Sequence, residues 1–420
     1  MRNKIIYLIS SFLLTCILIA CSTSSSVTQY DYSYLYDENQ AVINPAYKVF
    51  HHSSDSSTLF YEINSGDILY ERLNGDSSLV AKLKLKYTIY QDKALTIILD
   101  SAQKQVFNFG SNAKETVLQN HFKFKAQKGN AYWLVIRFRD DNKDLNVVNL
   151  LKVDKRDNLN SQYFNYKTDQ KVLIHSISNA TNVEITKSPL IESNLFVMEQ
   201  SDKNFPMTPP PFIKVKTNQL NVDFDDSYSF NFQGNKYQAT NLKAFNRFQV
   251  EQDTSQKSNF VFYFSKAYPK ISKIGQLLEP TRYISTSKEY KVIKTAVNPK
   301  KALDEFWLRL GKNEERAKAM LQEYYSRVEL SNRYFSCYKE GWKSDRGIIY
   351  IIYGNPTTIR KDAESEIWTY GEADNILSVQ FKFYKKTNNF SNNDYELIRN
   401  VEYKNNWYRA VDQWRQGKIY

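Results

Sequence analysis

Side chains capable of acid–base or nucleophilic chemistry are present in this sequence, but few stand at informative spacings. Four carboxylates fall within a short stretch near the C-terminus: Asp345, Asp362, Glu364 and Glu366. Two of them could supply the acid–base pair that glycosidases use, yet the spacing singles out no pair. Cys337 would serve as a nucleophile only beside a base, and no histidine lies near it in sequence. A hydrolase therefore stays one hypothesis for this chain.

The histidines and glycines form no metal-binding or nucleotide-binding motif. The four histidines are His51, His52, His121 and His175. None stands in HExxH or a comparable spacing, and the neighbours His51 and His52 would point to opposite faces of a strand. The sequence also lacks GxSxG and GxGxxG. We therefore predict no metal, no cofactor and no catalytic residue.

Cys21 is the residue whose context predicts covalent modification. The chain opens with Arg2 and Lys4 and continues with an apolar run over residues 5–20. That run is shorter than the roughly 20 residues of a membrane span and is typical of a secretory signal. It ends in Leu-Ile-Ala before Cys21, which resembles a bacterial lipobox. The alternative is an ordinary signal followed by a chance cysteine.

Processing at a lipobox would put a thioether-linked diacylglyceryl group on the Cys21 sulfur and free its amino group for a further acyl chain such as palmitate. Two or three acyl chains hold a protein firmly on a bilayer. Residues 22–26 are all serine or threonine, a polar tether that cannot form a core. We predict a signal peptide over residues 1–20 and the lipidated cysteine with its tether over 21–44. Cys337 would be the only other thiol of the mature chain, which excludes an intrachain disulfide.

Composition favours a globular protein with packed cores. Hydrophobic residues make up 42% of the 420 residues and aromatic residues 15%. The formal charge of +12 falls by two when the signal is removed, and such a charge favours anionic partners such as lipopolysaccharide, phospholipid headgroups or acidic glycans. However, basic residues alternate with apolar ones, as at Lys82, Lys84 and Lys86, which is typical of a solvated strand face. Export excludes nucleic acid as a partner.

Residues 45–158 are predicted to form an antiparallel β-sandwich. Between Ala81 and Tyr90, apolar residues alternate with polar ones, the pattern of a strand with one buried face. Similar short runs recur between turn signals: Thr58–Ile63, Ala94–Leu99, Val106–Phe109, His121–Phe124, Tyr132–Phe138 and Val147–Val153. Seven or eight strands at this spacing come closest to the immunoglobulin-like (Ig-like) class, without its disulfide.

Residues 159–290 are predicted to form a second β-rich domain. Its strands are expected at Lys171–Ile177, Asn182–Ile185, Leu195–Met198, Phe212–Val215, Ser227–Phe232 and Asn259–Phe264. A proline-rich stretch runs from Pro206 to Pro211. Because proline cannot donate to a sheet ladder, this stretch is a stiff connection or a sheet edge. The boundary between the two β domains falls near residue 158 or near residue 210.

Residues 291–420 change from strand to helix periodicity. Asn298 before Pro299 predicts a helix start, and Gly311 its end. Asn313 begins a second helix with an acidic first turn. Strands are expected at Gly347–Tyr353, Glu366–Tyr370, Ile376–Tyr384 and Tyr395–Val401, and a last helix around Trp407–Trp414. The chain is thus predicted to be mainly β, with tandem sandwich modules followed by an α+β part.

One heptapeptide in this C-terminal part has a recognisable pattern. Residues 341–347 read Gly-Trp-Lys-Ser-Asp-Arg-Gly, and residues 348–356 form an apolar run that ends in Gly-Asn-Pro. The segment resembles the GWxTD domain of envelope proteins of Bacteroidota and related bacteria. Ser344 stands where the family has threonine, and both residues carry a hydroxyl. The likeness covers about residues 290–420, with a looser likeness before residue 290; it implies a fold element and no reaction.

The resemblance also bears on location. In that bacterial group, a short acidic tract after the lipidated cysteine commonly directs lipoproteins to the cell surface. Ser22 follows Cys21 here, and no acidic run comes after it. The resemblance therefore implies a lipid-anchored protein of the outer membrane that faces the periplasm.

The candidate site consists of residues in and after the motif: Gly341, Trp342, Ser344, Asp345, Arg346, Gly347, Gly354, Pro356 and Trp368. Its glycines suggest backbone positions with positive φ or close approach. Ser344 and Asp345 are expected to cap local N–H groups, and Asp345 to pair with Arg346 or another base. Trp342 is expected to be buried. The apolar run Ile348–Tyr353 is expected to be a central strand that the motif leads into.

Three hypotheses about function follow. The first is a non-catalytic interaction and assembly module that is anchored in the membrane by its lipid and binds other envelope proteins. The second is a glycan- or peptidoglycan-binding lipoprotein that uses exposed aromatic side chains, and the third is the unrecognised hydrolase. The motif itself is either a scaffold corner or a site for a ligand or partner. No particular small-molecule ligand is indicated.

Overall fold

The structure of the protein is a computed structural model. It describes residues 31–36, 43–72, 79–110, 117–143, 145–157, 159–169, 171–203, 205–215, 222–251, 257–362, 364–372, 375, 378–386, 388 and 390–418. The predicted signal peptide, Cys21 and the serine-rich start of the tether lie outside these ranges. Within them, no helix is both long and apolar enough to cross a membrane.

The first β-rich part forms two facing antiparallel sheets. Its strands are β1 (Ala46–Phe50), β2 (Ser56–Asn64), β3 (Glu71–Arg72), β4 (Leu79–Tyr90), β5 (Ile98–Gly110), β6 (Val117–Lys125), β7 (Ala131–Asp140) and β8 (Leu145–Asp154). One sheet has the order β1-β2-β6. In the other, β4 lies between β5 and β7, β8 follows β7, and β3 pairs with the start of β4. The alternation predicted along β4 is confirmed, because Ala81, Leu83 and Leu85 are buried in one core with Leu59 of the facing sheet.

The predicted strand Val106–Phe109 and only the last two residues of the predicted strand Ala94–Leu99 belong to the single strand β5. The Ala94–Leu99 run begins in the loop that joins β4 to β5. There the Asp92 carboxylate accepts the N–H groups of Thr96, at 3.0 Å, and Ile97, at 2.9 Å. This side-chain capping holds the backbone in a turn, so β5 starts only at Ile98.

The second β-rich part also forms two facing sheets. Its strands are β9 (Phe164–Thr168), β10 (Lys171–Val172), β11 (Ile177–Ser178), β12 (Val183–Lys187), β13 (Leu195–Ser201), β14 (Asp226–Asn231), β15 (Lys236–Ala239), β16 (Phe245–Val250) and β17 (Asn259–Tyr263). The sheet orders are β10-β9-β12-β15 and β11-β17-β16-β13-β14. Phe164 and Ile185 of one sheet share a core with Phe196 and Phe248 of the other. The pairing is antiparallel except that β11 runs parallel to β17.

The strand predicted at Phe212–Val215 is wrong. The Ile213 N–H donates to the Pro210 carbonyl oxygen at 3.0 Å and closes a turn. Pro209, Pro210 and Pro211 have no N–H groups to donate to a ladder, so the stretch crosses the surface as an irregular segment.

The C-terminal part combines helices with a four-stranded antiparallel sheet. The helices are α1 (Ile274–Leu278), α2 (Ser287–Thr295), α3 (Pro299–Gly311), α4 (Glu314–Phe335), α5 (Asp345–Tyr353) and α6 (Tyr403–Arg415). The sheet has the order β18 (Thr358–Lys361), β19 (Ser365–Tyr370), β20 (Val379–Lys385), β21 (Tyr395–Leu397). The Asn298 and Asn313 side chains cap α3 and α4 as predicted. Helix α3 ends at Gly311, as predicted, and its C-cap Lys312 adopts a left-handed conformation (φ 66°). The prediction of a mainly β chain with an α+β C-terminal part is confirmed.

The strand predicted at Gly347–Tyr353 is wrong, because these residues belong to helix α5. A run that is apolar on all sides does not distinguish a strand from a buried helix, and its isoleucines favour the strand. Local end signals favour the helix. The Ser344 side chain caps its N-terminus, and Gly354, with φ +79°, ends it. The helix is buried over residues 345–352 in the core of the C-terminal part.

A short N-terminal segment also belongs to this core. Residues Ser33–Tyr36, inside the range predicted as tether, form a 3₁₀ turn. Tyr36 is buried in one cluster with Phe335, Tyr350 and Trp368. The described chain therefore starts as a strap across the C-terminal part before it enters the first sandwich.

Candidate functional site

The glycines of the motif allow two backbone segments to approach closely. At Gly341, an added Cβ would overlap the carbonyl oxygen of Ser331 in α4. At Gly347 it would overlap the carbonyl oxygen of Gly341 itself. Gly354 instead has the positive φ that ends α5. Both expectations for these glycines, close approach and positive φ, are confirmed.

Ser344 converts the motif into a helix start. Its hydroxyl accepts the Gly347 N–H at 3.0 Å and donates to the Gly341 carbonyl oxygen at 2.6 Å. The first is the N-cap bond that satisfies a free N–H of the first turn of α5. Capping by Ser344 is therefore as predicted, although it opens a helix rather than a strand. Threonine carries the same hydroxyl, so the substitution keeps this cap.

Trp342 is buried, as predicted, with 4% of its surface exposed. Its backbone N–H donates to the Asn332 side chain at 3.2 Å, and its carbonyl accepts the Tyr283 hydroxyl at 3.3 Å. The Lys343 ammonium lies 5.1 Å from the centre of its ring and forms an ion pair with Glu340 at 2.5 Å. The indole thus fills the space between α4, the motif and the segment before α2.

Asp345 holds the proline-rich segment through an arginine. Its carboxylate accepts the Thr208 hydroxyl at 2.5 Å and the Leu397 N–H at 2.8 Å, and it forms a buried ion pair with Arg399. Arg399 in turn donates to the carbonyl oxygens of Pro209, at 2.9 Å, and Pro210, at 2.7 Å. The base predicted for Asp345 is therefore Arg399 and not its neighbour Arg346. This cluster joins β21 to the second sandwich.

Arg346 points the other way and pairs with Glu366 at 3.2 Å. Glu366 is fully buried; it also accepts the Trp368 indole N–H at 3.1 Å and pairs with Lys361 at 2.9 Å. Burial alone would raise the pKa of this carboxyl, but the positive charges of Lys361 and Arg346 outweigh it and lower the pKa to about 2. The Arg346 guanidinium is further held by the Asn393 carbonyl at 2.8 Å. The pair is thus ionised in its buried site.

The N-terminal strap completes this second cluster. The Tyr36 hydroxyl lies 3.4 Å from one Glu366 carboxylate oxygen and 3.5 Å from the other, and burial beside that carboxylate raises the Tyr36 pKa to about 12. The Tyr350 hydroxyl donates to the Tyr36 carbonyl at 2.8 Å. At the start of the strap, the Tyr32 N–H donates to Ile359 of β18 at 2.8 Å. Tyrosine is here a protonated, hydrogen-bonding partner of Glu366.

The structure thus brings together most of the predicted site residues but not all of them. Gly341, Trp342, Ser344, Asp345, Arg346, Gly347 and Trp368 meet in one buried corner. Gly354 and Pro356 lie at the other end of α5, about 13 Å away for a rise of 1.5 Å per residue. Sequence reasoning missed partners from distant segments: Tyr36, Thr208, Asn332, Asn393 and Arg399. No sequence pattern marks these five residues, because only the fold brings them near the motif.

The geometry gives no support to the acid–base pair or the cysteine nucleophile. Asp345 and Glu366 are each committed to an arginine. Asp362 caps the backbone at residues 364 and 365, while Glu364 lies in solvent. Burial raises the pKa of the Cys337 thiol to about 11, the opposite of what a nucleophile needs. In the described ranges, no group of three or more histidine, cysteine, aspartate or glutamate side chains could hold a metal ion.

The close approach at Gly341 leads to a direct test. Gly341→Ala should lower the free energy of unfolding by about 1–3 kcal/mol, because the added Cβ would lie 1.8 Å from the Ser331 carbonyl oxygen, a backbone atom of α4. Gly275→Ala is the matched control. An added Cβ there meets no atom within 4 Å, so this change in α1 should be neutral or slightly stabilising. Denaturant unfolding of both variants measures the difference, and equal stabilities would contradict the close approach.

Comparisons with known proteins agree with the motif. Residues 246–416 match the family model of the GWxTD domain. The match begins in β16, well before the expected residue 290, and so includes Tyr268 and Tyr283, which hydrogen-bond the motif backbone. The search of curated proteins gave no match.

Solved structures are similar only over a limited length. The crystal structure of Bacteroides uniformis beta-glucuronidase is 10% identical, over 34% of this chain and 15% of that one, with a TM-score of 0.18. A calcium-binding mutant of beta-glucuronidase 2 of the same organism is 11% identical over the same shares, with a TM-score of 0.16. This chain therefore spans about 15% of the length of those chains, and TM-scores this low identify no shared fold. The family match and the geometry of the motif together identify residues 246–416 as a GWxTD domain.

Proposed function

We propose that this protein is a lipid-anchored envelope protein that serves as a non-catalytic interaction and assembly module of the outer membrane and faces the periplasm. One observation carries the proposal. Asp345 and Arg346, adjacent at the start of α5, form two separate buried ion pairs, and each pair holds a different distant segment. Asp345 fixes the proline-rich segment of the second sandwich, and Arg346 fixes the glutamate on which the N-terminal strap rests.

Such a corner is a joint that positions modules relative to one another. Of the four candidate carboxylates, Asp345 and Glu366 are buried in the ion pairs that hold the joint. This burial favours a scaffold, whose outer surfaces bind partners, over a hydrolase. Glycan binding would need a platform of exposed aromatic rings. Among the described residues, the exposed large aromatic side chains are Tyr384 and Tyr408, which lie on different elements.

The strap also bears on the anchor. From Cys21 to Asp31 there are ten residues, which reach at most about 35 Å when fully extended. Because Asp31 and Tyr32 are bonded to β18, a lipid on Cys21 would keep the GWxTD domain close to the bilayer. The joint and the anchor together would present both sandwiches at a set distance from the membrane.

Cys21→Ser should release the protein from membranes, because we propose lipidation as the anchor. Cells that express the variant are fractionated, and the pellet is washed with high salt. Cys337→Ser is the matched control; it removes a buried thiol and should stay in the pellet. Retention of the Cys21→Ser variant would contradict the anchor.

Affinity purification from solubilised outer membranes then tests for partners, and protease treatment of intact cells should leave a periplasm-facing protein uncut.

A further inference from the structure

β5 is a long strand at the edge of its sheet. It pairs with β4 from Leu79 to Tyr90, and within the described part of the chain it pairs with no other strand. From Ile98 to Gln105 its side chains are exposed on both faces, except that Asp100 is half-buried. Alternate N–H and C=O groups of such a strand point away from the sheet and are a template for a further strand.

The start of this edge is held in place. The Asp92 carboxylate binds two N–H groups of the loop, and the Gln91 N–H donates to the Ile97 carbonyl at 2.9 Å. The hairpin therefore enters β5 in a defined register. A pre-formed edge loses little conformational entropy when it pairs, which favours association.

The sequence of the edge is complementary to itself. We propose that β5 pairs antiparallel with β5 of a second copy of this chain, about a twofold axis at Ala102. In this register Asp100 faces Lys104 of the other copy and Ile98 faces Val106. The remaining pairs are polar or mixed: Ser101 with Gln103, and Leu99 with Gln105. A twofold axis makes each pair twice, so two ion pairs and two apolar pairs flank the centre.

Other registers are worse. An axis at Lys104 or at Asp100 would place like charges directly opposite each other, which destabilises a pair of strands. An axis at Ser101 would leave Asp100 opposite Ala102 and would lose the ion pair. Asp100 remains able to bind a partner, because its contact with the Tyr87 hydroxyl leaves other carboxylate lone pairs free.

A second copy fits this edge better than a lipid surface does. The exposed apolar residues Ile98 and Leu99 could enter a membrane, but the stretch from Ile98 to Val106 contains one acid and one base and is neutral overall. It therefore offers no net attraction to anionic headgroups. Lysine on an edge commonly prevents pairing with other strands. Here Lys104 permits pairing with a strand that has an acid opposite it. A second copy of this chain provides that acid, Asp100.

This inference rests on the proposed role as an interaction module and names one of its partners. A strand-to-strand contact is small, so we expect a weak dimer in solution. Two lipid-anchored copies on one membrane share a high effective concentration, which would favour the pairing there.

Disulfide trapping tests the register. The mature chain is prepared with Cys21→Ser, which leaves Cys337 as a buried thiol. In that background, Ala102→Cys places two thiols opposite each other on the axis, within reach of a disulfide. Gln105→Cys is the matched control on the same exposed strand, where the two thiols would lie roughly 20 Å apart at 3.3 Å per residue. We expect most of the first variant, and almost none of the second, to form a covalent dimer under mild oxidation.

Charge reversal gives an independent measure in the same background without added cysteines. Asp100→Lys alone and Lys104→Asp alone should each weaken self-association about tenfold or more, as measured by sedimentation equilibrium. The double reversal Asp100→Lys with Lys104→Asp restores opposite charges and should recover the dimer. Thermal unfolding of each variant confirms that the sandwich is intact.

Equal trapping of both cysteine variants, or a double reversal as weak as the single ones, would overturn the proposal, as would a protein that stays monomeric at millimolar concentration. These outcomes are distinct from failure of the proposed function. If the protein is not an interaction module, affinity purification from membranes yields no partner of any kind. If only the β5 pairing is mistaken, it yields other envelope proteins without a second copy.

Discussion

Trp342→Ala should lower the free energy of unfolding by about 3–5 kcal/mol, the cost of removing a buried large aromatic side chain. That is a large fraction of the free energy of unfolding of a typical domain, which is roughly 5–15 kcal/mol. The ring lies beside Tyr283 and under the Lys343 ammonium, so alanine leaves a cavity and also removes the aromatic face from a buried charge. The backbone hydrogen bonds of residue 342 do not depend on its side chain. The loss of unfolding free energy therefore reports the contribution of the indole ring alone.

The measurement is a thermal and denaturant melt of the whole mature chain with Cys21→Ser. The whole chain is needed because Tyr36 and Thr208 contribute contacts to this corner from outside the C-terminal part. Tyr408→Ala, which removes an aromatic ring that is half exposed on α6, is the control and should shift the melt little. If Trp342→Ala leaves the melt unshifted and abolishes co-purification instead, the motif is a partner site rather than a scaffold corner.

Glu366→Gln should be similarly costly, at about 3–5 kcal/mol near neutral pH. The amide has nearly the same shape but no charge, so the buried Arg346 guanidinium loses its counterion and Lys361 loses the carboxylate that it pairs with. Glu364→Gln changes the same residue type two positions earlier, where the side chain is 81% exposed, and should change stability by less than about 0.5 kcal/mol.

The pH dependence distinguishes this effect from simple loss of packing. Folding lowers the pKa of Glu366 from its usual 4.5 to about 2. A carboxyl with a lowered folded-state pKa stabilises the protein above its unfolded pKa, and this stabilisation is lost as the pH falls through the folded-state pKa. The stability difference between wild type and Glu366→Gln should therefore be constant above about pH 5 and shrink from pH 4.5 toward pH 2. A difference that does not change with pH would show that folding does not lower the pKa of Glu366.

Local features of the fold were accessible from the sequence. The alternation along β4 places apolar side chains on one face because successive strand residues point to opposite sides. Asn298 and Asn313 mark helix starts because their side chains bind N–H groups only three residues away. The GWxSD motif was likewise identifiable, and the burial of Trp342 followed from the apolar run beside it. Each of these inferences depends on interactions within a few residues.

The sequence failed where several structures satisfy one local pattern. The run from Ile348 to Ile352 is apolar on every side and suits a central strand as well as a buried helix. The capping residues at its two ends stabilise the helix. The same glycines, however, would also suit the turns at the two ends of a strand, so they do not distinguish the two structures. In the β4–β5 loop, the hydrogen bonds that Asp92 accepts hold a strand-like run in a turn. The β-propensity of single residues contributes less to stability than one or two well-placed hydrogen bonds.

By itself, then, the sequence determined that the chain is mainly β, that it ends in a GWxTD domain and that Trp342 lies in its core. Only the tertiary structure decided which charges meet: Asp345 pairs with a base 54 positions later, and Glu366 receives a tyrosine hydroxyl from 330 positions earlier. The physical reason is that a charge pair has no periodicity. Any buried acid must find a base to offset its desolvation, but only the packing of sheets and helices brings one particular base within reach.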